Sequence, residues 1–261
     1  MSREELTSLA GRHLLITRPE PEALATARMV EAVGGVAHVA PALLLAPPLD
    51  PAPLREAVGR CDRFDGVILT SANGARAFLR ALPPGLSPAP IFAVGPKSAA
   101  VLTGAGLPVA TPEQAGDAEV LARYLLERFG RDRHYLFLRA GEGRETLVGI
   151  LTAEGVSVTL VEAYRMVAAT TLDTGIRARL ERGEMDAVTF FSARSAEAFL
   201  ALLGPDRHRW WSPSIRVAAL SPAIARGLML HGFEGVVTAP VPAAESLLAA
   251  LAATWRQALP G

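Results

Sequence analysis

The chain has 261 residues, half of them hydrophobic, and its 26 basic side chains balance 26 acidic ones, so its formal net charge at pH 7 is zero. This length allows a sizeable core in one large domain or two ordinary ones. The neutral balance argues against nucleic-acid binding, which needs a clustered basic face, and no apolar run reaches the roughly 18 residues of a membrane span. Residues 1–12 lack the apolar core of a signal peptide, and Cys61 is the only cysteine. We therefore expect a soluble, cytoplasmic protein without an internal disulfide.

Short apolar runs alternate with amphipathic helical patterns along the whole chain. Between the runs, Asp50 is placed to cap a helix that carries Leu54 and Val58. Strands alternating with helices predict βαβ units, that is, an α/β protein with parallel sheets covered on both faces. The runs with the length and flanks of buried strands are 14–16, 67–69, 91–94, 135–138, 188–191 and 217–220.

The two halves of the sequence resemble each other. Residues 67–82 (VILTSANGARAFLRAL) match residues 188–203 (VTFFSARSAEAFLALL) at an offset of 121. The same offset aligns Arg18 with Arg139, and after a small insertion the turn GPKS at 95–98 matches SPAI at 221–224. Ordered matches at nearly constant spacing indicate a duplication.

Two long extended segments, 39–48 and 158–169, occupy equivalent positions after the second strand of each half. If they run side by side, the chain crosses twice between two domains, and the first domain contains both termini. The alternative is two sequential domains that divide near Arg131. The residues by themselves decide only weakly between these arrangements.

Four polar turns each follow a predicted strand and open a helix, at the sheet edge where α/β proteins bind ligands. The first N–H groups of a helix lack partners within it and attract anions. An alternative interpretation makes the same serines ordinary N-caps. The turns are Thr70–Asn73, Gly95–Ser98, Ser192–Ser195 and Ser221–Pro222.

The remaining candidate residues suit a ligand with many carboxylates. Arg18 and Arg139 end equivalent strands, where they serve as carboxylate ligands or as partners in an interdomain or surface salt bridge. Tyr164 is either an amphipathic packing residue or a proton donor. The histidines at 13, 38, 134, 208 and 231 are dispersed and no pairing among them is expected. Since metal-ligand spacing, P-loop and dinucleotide fingerprints are missing, cofactor-independent chemistry or simple binding is left.

The ordered set of motifs resembles the uroporphyrinogen-III synthase family over almost the whole chain. The motifs are ITRP at 16–19, LTSANG at 69–74, AVGPKS at 93–98, EAYR at 162–165 and TFFS at 189–192. The resemblance implies two flavodoxin-like parallel-sheet domains joined by a two-stranded β-ladder, with an active site in the cleft between them. It thus favours the double crossing, with domain 1 at 1–38 plus 168–261, domain 2 at 44–162, and hinge strands around 39–43 and 163–167.

The activity implied by the resemblance is cyclisation of hydroxymethylbilane, a linear tetrapyrrole with eight carboxylates. Water is lost and the last pyrrole ring is inverted, without metal or cofactor. Tyr164 matches the family's candidate proton donor. The expected substrate-binding residues are Thr17, Arg18, Ser71, Ala72, Asn73, Gly95, Lys97, Ser98, Arg139, Ser192, Ala193, Ser195 and Ser221. We expect a monomer.

One turn departs from the family. Residues 221–224 read SPAI where the family usually has Gly-Pro-x-Thr, so Ile224 removes a hydroxyl that the family often presents to substrate. Either backbone donors replace this contact or the turn contributes less to substrate binding. The rival to a lyase is a non-catalytic two-lobed module that binds a small molecule. A third interpretation, a nucleotide-using α/β enzyme, is weakened by the missing phosphate loops.

Overall fold

The computed structural model describes residues 3–112, 118–141, 146–205, 212 and 214–256. It contains two compact units, one formed by Met1–Leu45 with Val167–Gly261 and the other by Ala46–Met166. The strands are β1 His13–Ile16, β2 Val36–Val39, β3 Leu43–Ala46, β4 Gly66–Leu69, β5 Ile91–Ala93, β6 Val109–Ala110, β7 His134–Ala140, β8 Ser157–Ala168, β9 Ala187–Phe190, β10 Arg216–Ala219 and β11 Val237–Thr238.

The α-helices are α1 Glu22–Glu31, α2 Ala52–Gly59, α3 Ala72–Ala81, α4 Pro96–Thr103, α5 Ala118–Phe129, α6 Thr146–Ala153, α7 Thr174–Glu181, α8 Ala193–Leu203, α9 Pro222–Leu230 and α10 Ala244–Arg256. Short 3₁₀ turns span Arg3–Leu9 and Cys61–Arg63. Asp50 accepts a hydrogen bond from the Ala52 N–H at 2.9 Å, but the N-cap residue of α2 is Pro51, one position later than expected. Each of the six strands expected from apolar runs is present, with ends that differ by up to two residues.

The first sheet has the order β11–β10–β9–β1–β2 and all its pairs are parallel. Numbered within the unit, this is the 2-1-3-4-5 order of flavodoxin-like folds. Consecutive residues of β1 face opposite ways: Leu14 packs with α10, and Leu15 packs with the cluster that contains α7, α8 and α9. Both faces of the sheet are therefore covered, as in other parallel sheets.

The second sheet has the order β3–β8–β7–β4–β5–β6, and the pairs from β8 to β6 are parallel. Its five parallel strands repeat the first sheet, since β8, β7, β4, β5 and β6 stand where β2, β1, β9, β10 and β11 stand. The registers agree as well: Leu14 pairs with Ala187, and Tyr135 pairs with Gly66, at the offset of 121 seen in the sequence. Each set of five parallel strands therefore combines two strands from one sequence copy with three from the other.

In both units, an aspartate accepts two hydrogen bonds at the place where strands of the two sequence copies meet. We call this arrangement the ionic clamp. Asp186 accepts hydrogen bonds from Arg12 Nη1 at 2.9 Å and from the His13 N–H at 2.8 Å. In the second unit Asp65 accepts from Arg133 Nη1 and from the His134 N–H, both at 2.8 Å. The clamp ties β1 to the start of β9, and β7 to the start of β4. It lies at the amino-terminal edge of each sheet, away from the turns that were expected to bind ligand.

The expectation that the histidines are unpaired is wrong for two of them. His13 Nδ1 lies 3.0 Å from His38 Nε2, and the rings are stacked. In the equivalent place of the second unit, His134 Nε2 lies 2.8 Å from Thr159 Oγ1. The pairing was missed because residues far apart in sequence meet through the parallel register of β1 and β2. His208 lies outside the described residues.

Candidate active site

Four helices begin directly at the carboxyl edges of the two sheets, as the sequence predicts. Helices α3 and α4 follow β4 and β5 in the second unit, while α8 and α9 follow β9 and β10 in the first. Because the first N–H groups of each helix have no partner within the helix, each edge presents anion-attracting donors. The N-cap residues all have extended backbone and are Ser71, Gly95, Ser192 and Ser221.

The three serines act as N-caps. Ser71 Oγ accepts from the Gly74 N–H at 3.0 Å, and Ser221 Oγ accepts from the Ile224 N–H at 3.4 Å. Ser192 Oγ accepts from the Ser195 N–H at 3.0 Å and donates to Ser195 Oγ at 2.9 Å. Capping occupies acceptor capacity and leaves backbone N–H groups of the first turn as the main donors for an anion.

One N-cap has a further partner. Tyr164 Oη lies 3.0 Å from Ser71 Oγ, and only 8% of the Tyr164 surface is exposed. Tyr164 is in β8, which is separated from β4 by β7, so the hydroxyl spans the end of β7 to meet the start of α3. Since Gly74 already donates to Ser71 Oγ, the serine hydroxyl proton is available to donate to Tyr164 Oη.

A β-bulge brings Tyr164 into this position. Arg139 of β7 pairs with Glu162, but the next residue, Ala140, pairs with Tyr164, so β8 carries one extra residue there. Such a bulge re-aims side chains and is common beside active sites. The Gly141 N–H donates to the Tyr164 carbonyl at 3.0 Å and so fixes the backbone just beyond the bulge.

Glu162 was not singled out from the sequence, although its carboxylate lies at the same edge. A Cβ added at Gly141 would approach Glu162 Oε2 to 2.7 Å, so the missing side chain at Gly141 makes room for this carboxylate. Among the described residues, buried Glu162 Oε1 has no hydrogen-bond partner, and Arg165 Nε lies 3.8 Å from it. The only available signal was its place two residues before Tyr164 on the same strand.

The other expected residues of the second unit are spread along its carboxyl edge. Asn73 Oδ1 accepts from Arg76 Nη1 at 2.8 Å within the first turn of α3. Lys97 is exposed and Ser98 is buried in the first turn of α4. Ala72 and Gly95 are half-buried, and their backbone rather than a side chain is what they offer a ligand.

In the first unit, the Thr17 hydroxyl is engaged within the sheet. Thr17 is fully buried and its Oγ1 donates to the Thr189 carbonyl at 2.8 Å, while Thr189 Oγ1 donates to the Leu15 carbonyl at 3.0 Å. Arg18, the next residue, is half-buried above the ring of Phe191. Ala193 is exposed in the first turn of α8.

Within the described residues, no group of three or more His, Cys, Asp or Glu side chains is placed to bind a metal ion. No helix of the described chain is long and apolar enough to cross a bilayer.

The family model described as uroporphyrinogen-III synthase HemD matches residues 24–249. The chain belongs to the uroporphyrinogen-III synthase family. It is 27% identical over 227 residues to the uroporphyrinogen-III synthase of Synechococcus elongatus, which covers 82% of this chain and 83% of the relative.

Solved structures in the uroporphyrinogen-III synthase family share the fold. The Helicobacter pylori uroporphyrinogen-III synthetase superposes with a TM-score of 0.56 at 18% identity, covering 93% of this chain and 99% of that one. A mutant of the Thermus thermophilus enzyme gives a TM-score of 0.55 at 20% identity, covering 94% and 98%. The α/β fold class with parallel sheets in two units, expected from the sequence, is confirmed.

Ile224, where this chain departs from the family pattern, has a packing role in the structure. Ile224 lies in the first turn of α9 and is buried in the core with residues of α8, and its N–H donates to Ser221 Oγ. Ser98 in the matching turn of the other half is buried as well. The isoleucine therefore contributes packing to the first unit in place of a hydroxyl.

Proposed function

We propose that this protein is a cofactor-independent lyase that converts hydroxymethylbilane to uroporphyrinogen III, with loss of water and inversion of the terminal pyrrole ring. Family membership supports the activity. The structural observation that supports this activity is the buried hydroxyl pair formed by Tyr164 and Ser71 at the start of α3. We propose further that it works as a cytoplasmic monomer.

In the proposed first step, the Tyr164 hydroxyl gives its proton to the leaving hydroxyl of the bilane as the carbon–oxygen bond breaks. Water departs and an azafulvene is left on the substrate. The tyrosinate that remains is stabilised by two features of its position. The Ser71 O–H donates to it, and the positive end of α3 lies beside it.

In the second step, the terminal ring attacks the azafulvene at its substituted carbon and a spiro intermediate rearranges to the inverted macrocycle. The proton lost from the terminal ring can return to Tyr164. Because the bilane also cyclises unaided to the uninverted isomer, the protein must hold the ring in one orientation.

We propose that the substrate carboxylates are held mainly by helix N-termini of both units. The proposed substrate-binding residues, through backbone or side chain, are Thr17, Arg18, Ser71, Ala72, Asn73, Gly95, Lys97, Ser98, Arg139, Ser192, Ala193, Ser195 and Ser221. The capping bonds support this, because they align N–H groups at each turn without occupying all of them. The crossing segments near 39–43 and 163–167 are proposed as a hinge, supported by the place of β3 beside β8.

The experiment is incubation with freshly prepared hydroxymethylbilane, followed by oxidation and separation of the porphyrin isomers. The proposal predicts isomer III at a rate proportional to enzyme, unchanged after exhaustive dialysis against a chelator. Formation of isomer I alone, at the rate without protein, would contradict the activity. Loss of isomer III on dialysis, restored by a metal, would contradict cofactor independence.

A further inference from the structure

Arg18 is held against an aromatic ring at the carboxyl edge of the first sheet. Its guanidinium carbon lies 4.2 Å from the centre of the Phe191 ring. β1 and β9 are parallel neighbours, and Arg18 and Phe191 each follow the end of one of them, so both lie at the edge where α8 begins. A guanidinium above an aromatic face is attracted to it and keeps its plane fixed.

The rest of the Arg18 environment leaves its charge uncompensated at contact distance. Its one hydrogen bond among the described residues is a long one, from Nη1 to Thr26 Oγ1 at 3.4 Å. No carboxylate of the described chain lies within ion-pair distance of it, although Glu22 and Glu245 act on it from farther away. Burial lowers the pKa of Arg18, but the ordinary value is so high that the group stays charged.

The duplication supplies an internal comparison. Arg18 corresponds to Arg139, and Phe191 corresponds to Thr70, which has no ring. The aromatic ring beside Arg18 is thus a feature of the first unit that the equivalent position in the second unit lacks.

Thr26 Oγ1 donates to the Glu22 carbonyl at 3.0 Å, which fixes its hydroxyl as an acceptor for Arg18.

We propose that Phe191 is a positioning residue that presents Arg18, with its donors already oriented, to a carboxylate of the ligand. The inference rests on the proposed function, since the ligand it assumes is the octacarboxylate tetrapyrrole. Phe191 acts through Arg18 and touches no reacting atom. Its loss therefore weakens binding of substrate and transition state alike, which raises KM and leaves kcat nearly unchanged.

The first test is kinetic. Phe191→Leu keeps an apolar side chain but removes the ring, and is expected to raise KM for hydroxymethylbilane about three- to tenfold, while Phe191→Tyr restores the original value. Arg18→Ala is expected to raise KM further, and adding Phe191→Leu to it should change nothing more, because the two residues act as one unit. Phe191→Met is the substitute if the leucine variant is unstable.

A purely structural role for Phe191 predicts a different pattern. The leucine variant would then melt earlier with KM unchanged, or its effect on KM would add fully to that of Arg18→Ala; either result overturns the inference.

A second test separates this inference from the proposed activity. Titration with uroporphyrin III, a stable octacarboxylate, measures binding without turnover. Weaker binding by Phe191→Leu with recovery in Phe191→Tyr supports the inference even if the wild type forms no isomer III. Equal affinities of wild type and Phe191→Leu, in an enzyme that does form isomer III, would overturn the inference and leave the activity standing.

Discussion

Tyr164 Oη lies 3.0 Å from Ser71 Oγ, and that serine also caps α3 by accepting from the Gly74 N–H. The serine hydroxyl therefore links the first turn of α3 to Tyr164, the proposed proton donor in β8. The link is possible because the bulge in β8 places Tyr164 opposite Ala140, at the end of β7.

Removing the serine hydroxyl tests this link. Ser71→Ala is expected to lower kcat about tenfold because the tyrosinate loses its donor, and to cost about 1 kcal/mol of folding free energy because the cap is lost. The matched control is Asp173→Ala, which removes a side-chain cap from the Ile176 N–H at the start of α7. Asp173→Ala should show a similar loss of stability with unchanged kcat. Equal kcat losses in both variants would show that Ser71 acts through stability alone.

The ionic clamp of the second unit predicts a pH dependence of stability. The His134 N–H and the Arg133 guanidinium hold the pKa of Asp65 below its ordinary value. A carboxylate with a lower pKa in the folded state stabilises the protein above its unfolded pKa of about 4, and this stabilisation is lost as the pH falls through the folded pKa. Asp65→Asn should therefore be less stable than wild type at neutral pH, with the gap closing below about pH 4.

Urea unfolding at a series of pH values measures the effect, and Asp62→Asn, at a nearby exposed carboxylate, is the control. Because the clamp is on the surface, we expect a difference of no more than about 1 kcal/mol. A gap between wild type and Asp65→Asn that stays constant down to about pH 2 would refute this explanation.

The histidine pair of the first unit predicts a second pH effect. Burial, then the neighbouring His13 and Arg179, lower the pKa of His38. The folded state therefore binds fewer protons than the unfolded state, so the contribution of His38 to stability falls as the pH drops below about 6.5. His38→Thr, which copies the equivalent Thr159 of the second unit, should reduce this slope between about pH 5 and 7.

Thermal or urea unfolding across that range provides the measurement. His231→Gln, at an exposed position after α9, should leave the slope as in wild type. If the wild type and His38→Thr have parallel stability profiles from pH 5 to 7, the pair is not the cause of the dependence.

A buried tyrosine offers a stability prediction that is independent of the site. Tyr135 is fully buried in the second unit, and its hydroxyl has no hydrogen-bond partner in the part of the chain that the structure describes. Burial raises the pKa of this hydroxyl. Because an unpaired buried hydroxyl is costly, Tyr135→Phe should raise the free energy of unfolding by about 1 kcal/mol. Chemical denaturation of the variant checks this, and a loss of stability would mean that the hydroxyl does have a partner in solution.

The sequence predicted the fold well because its signals are local or repeated. Apolar runs located the main strands, and Ser71 and Ser192 marked matching strand-to-helix turns at the offset of 121. The alternation of strands with helices then predicted that the sheets are parallel. The very short strands β6 and β11, of two residues each, carry too little pattern to be found this way.

The details of the site were less predictable because they depend on contacts between distant residues. The bulge that aims Tyr164 has no signature in the string Glu162–Arg165, and the closeness of Glu162 to Gly141 appears only in three dimensions. The His13–His38 contact likewise depends on strand register. The contact of Arg18 with Phe191 could not be predicted without knowing that β1 pairs with β9, and these strands lie far apart in sequence.

The most direct test of Tyr164 as the proton donor is the rate of isomer III formation by wild type and by Tyr164→Phe, at saturating hydroxymethylbilane. We expect the wild type to yield almost only isomer III. Tyr164→Phe should lower kcat about a hundredfold with little change in KM, since a general acid is lost while the binding turns remain. Isomer I would then accumulate in the variant at the uncatalysed rate. An unchanged kcat for isomer III in Tyr164→Phe would contradict the role given to the Ser71–Tyr164 pair.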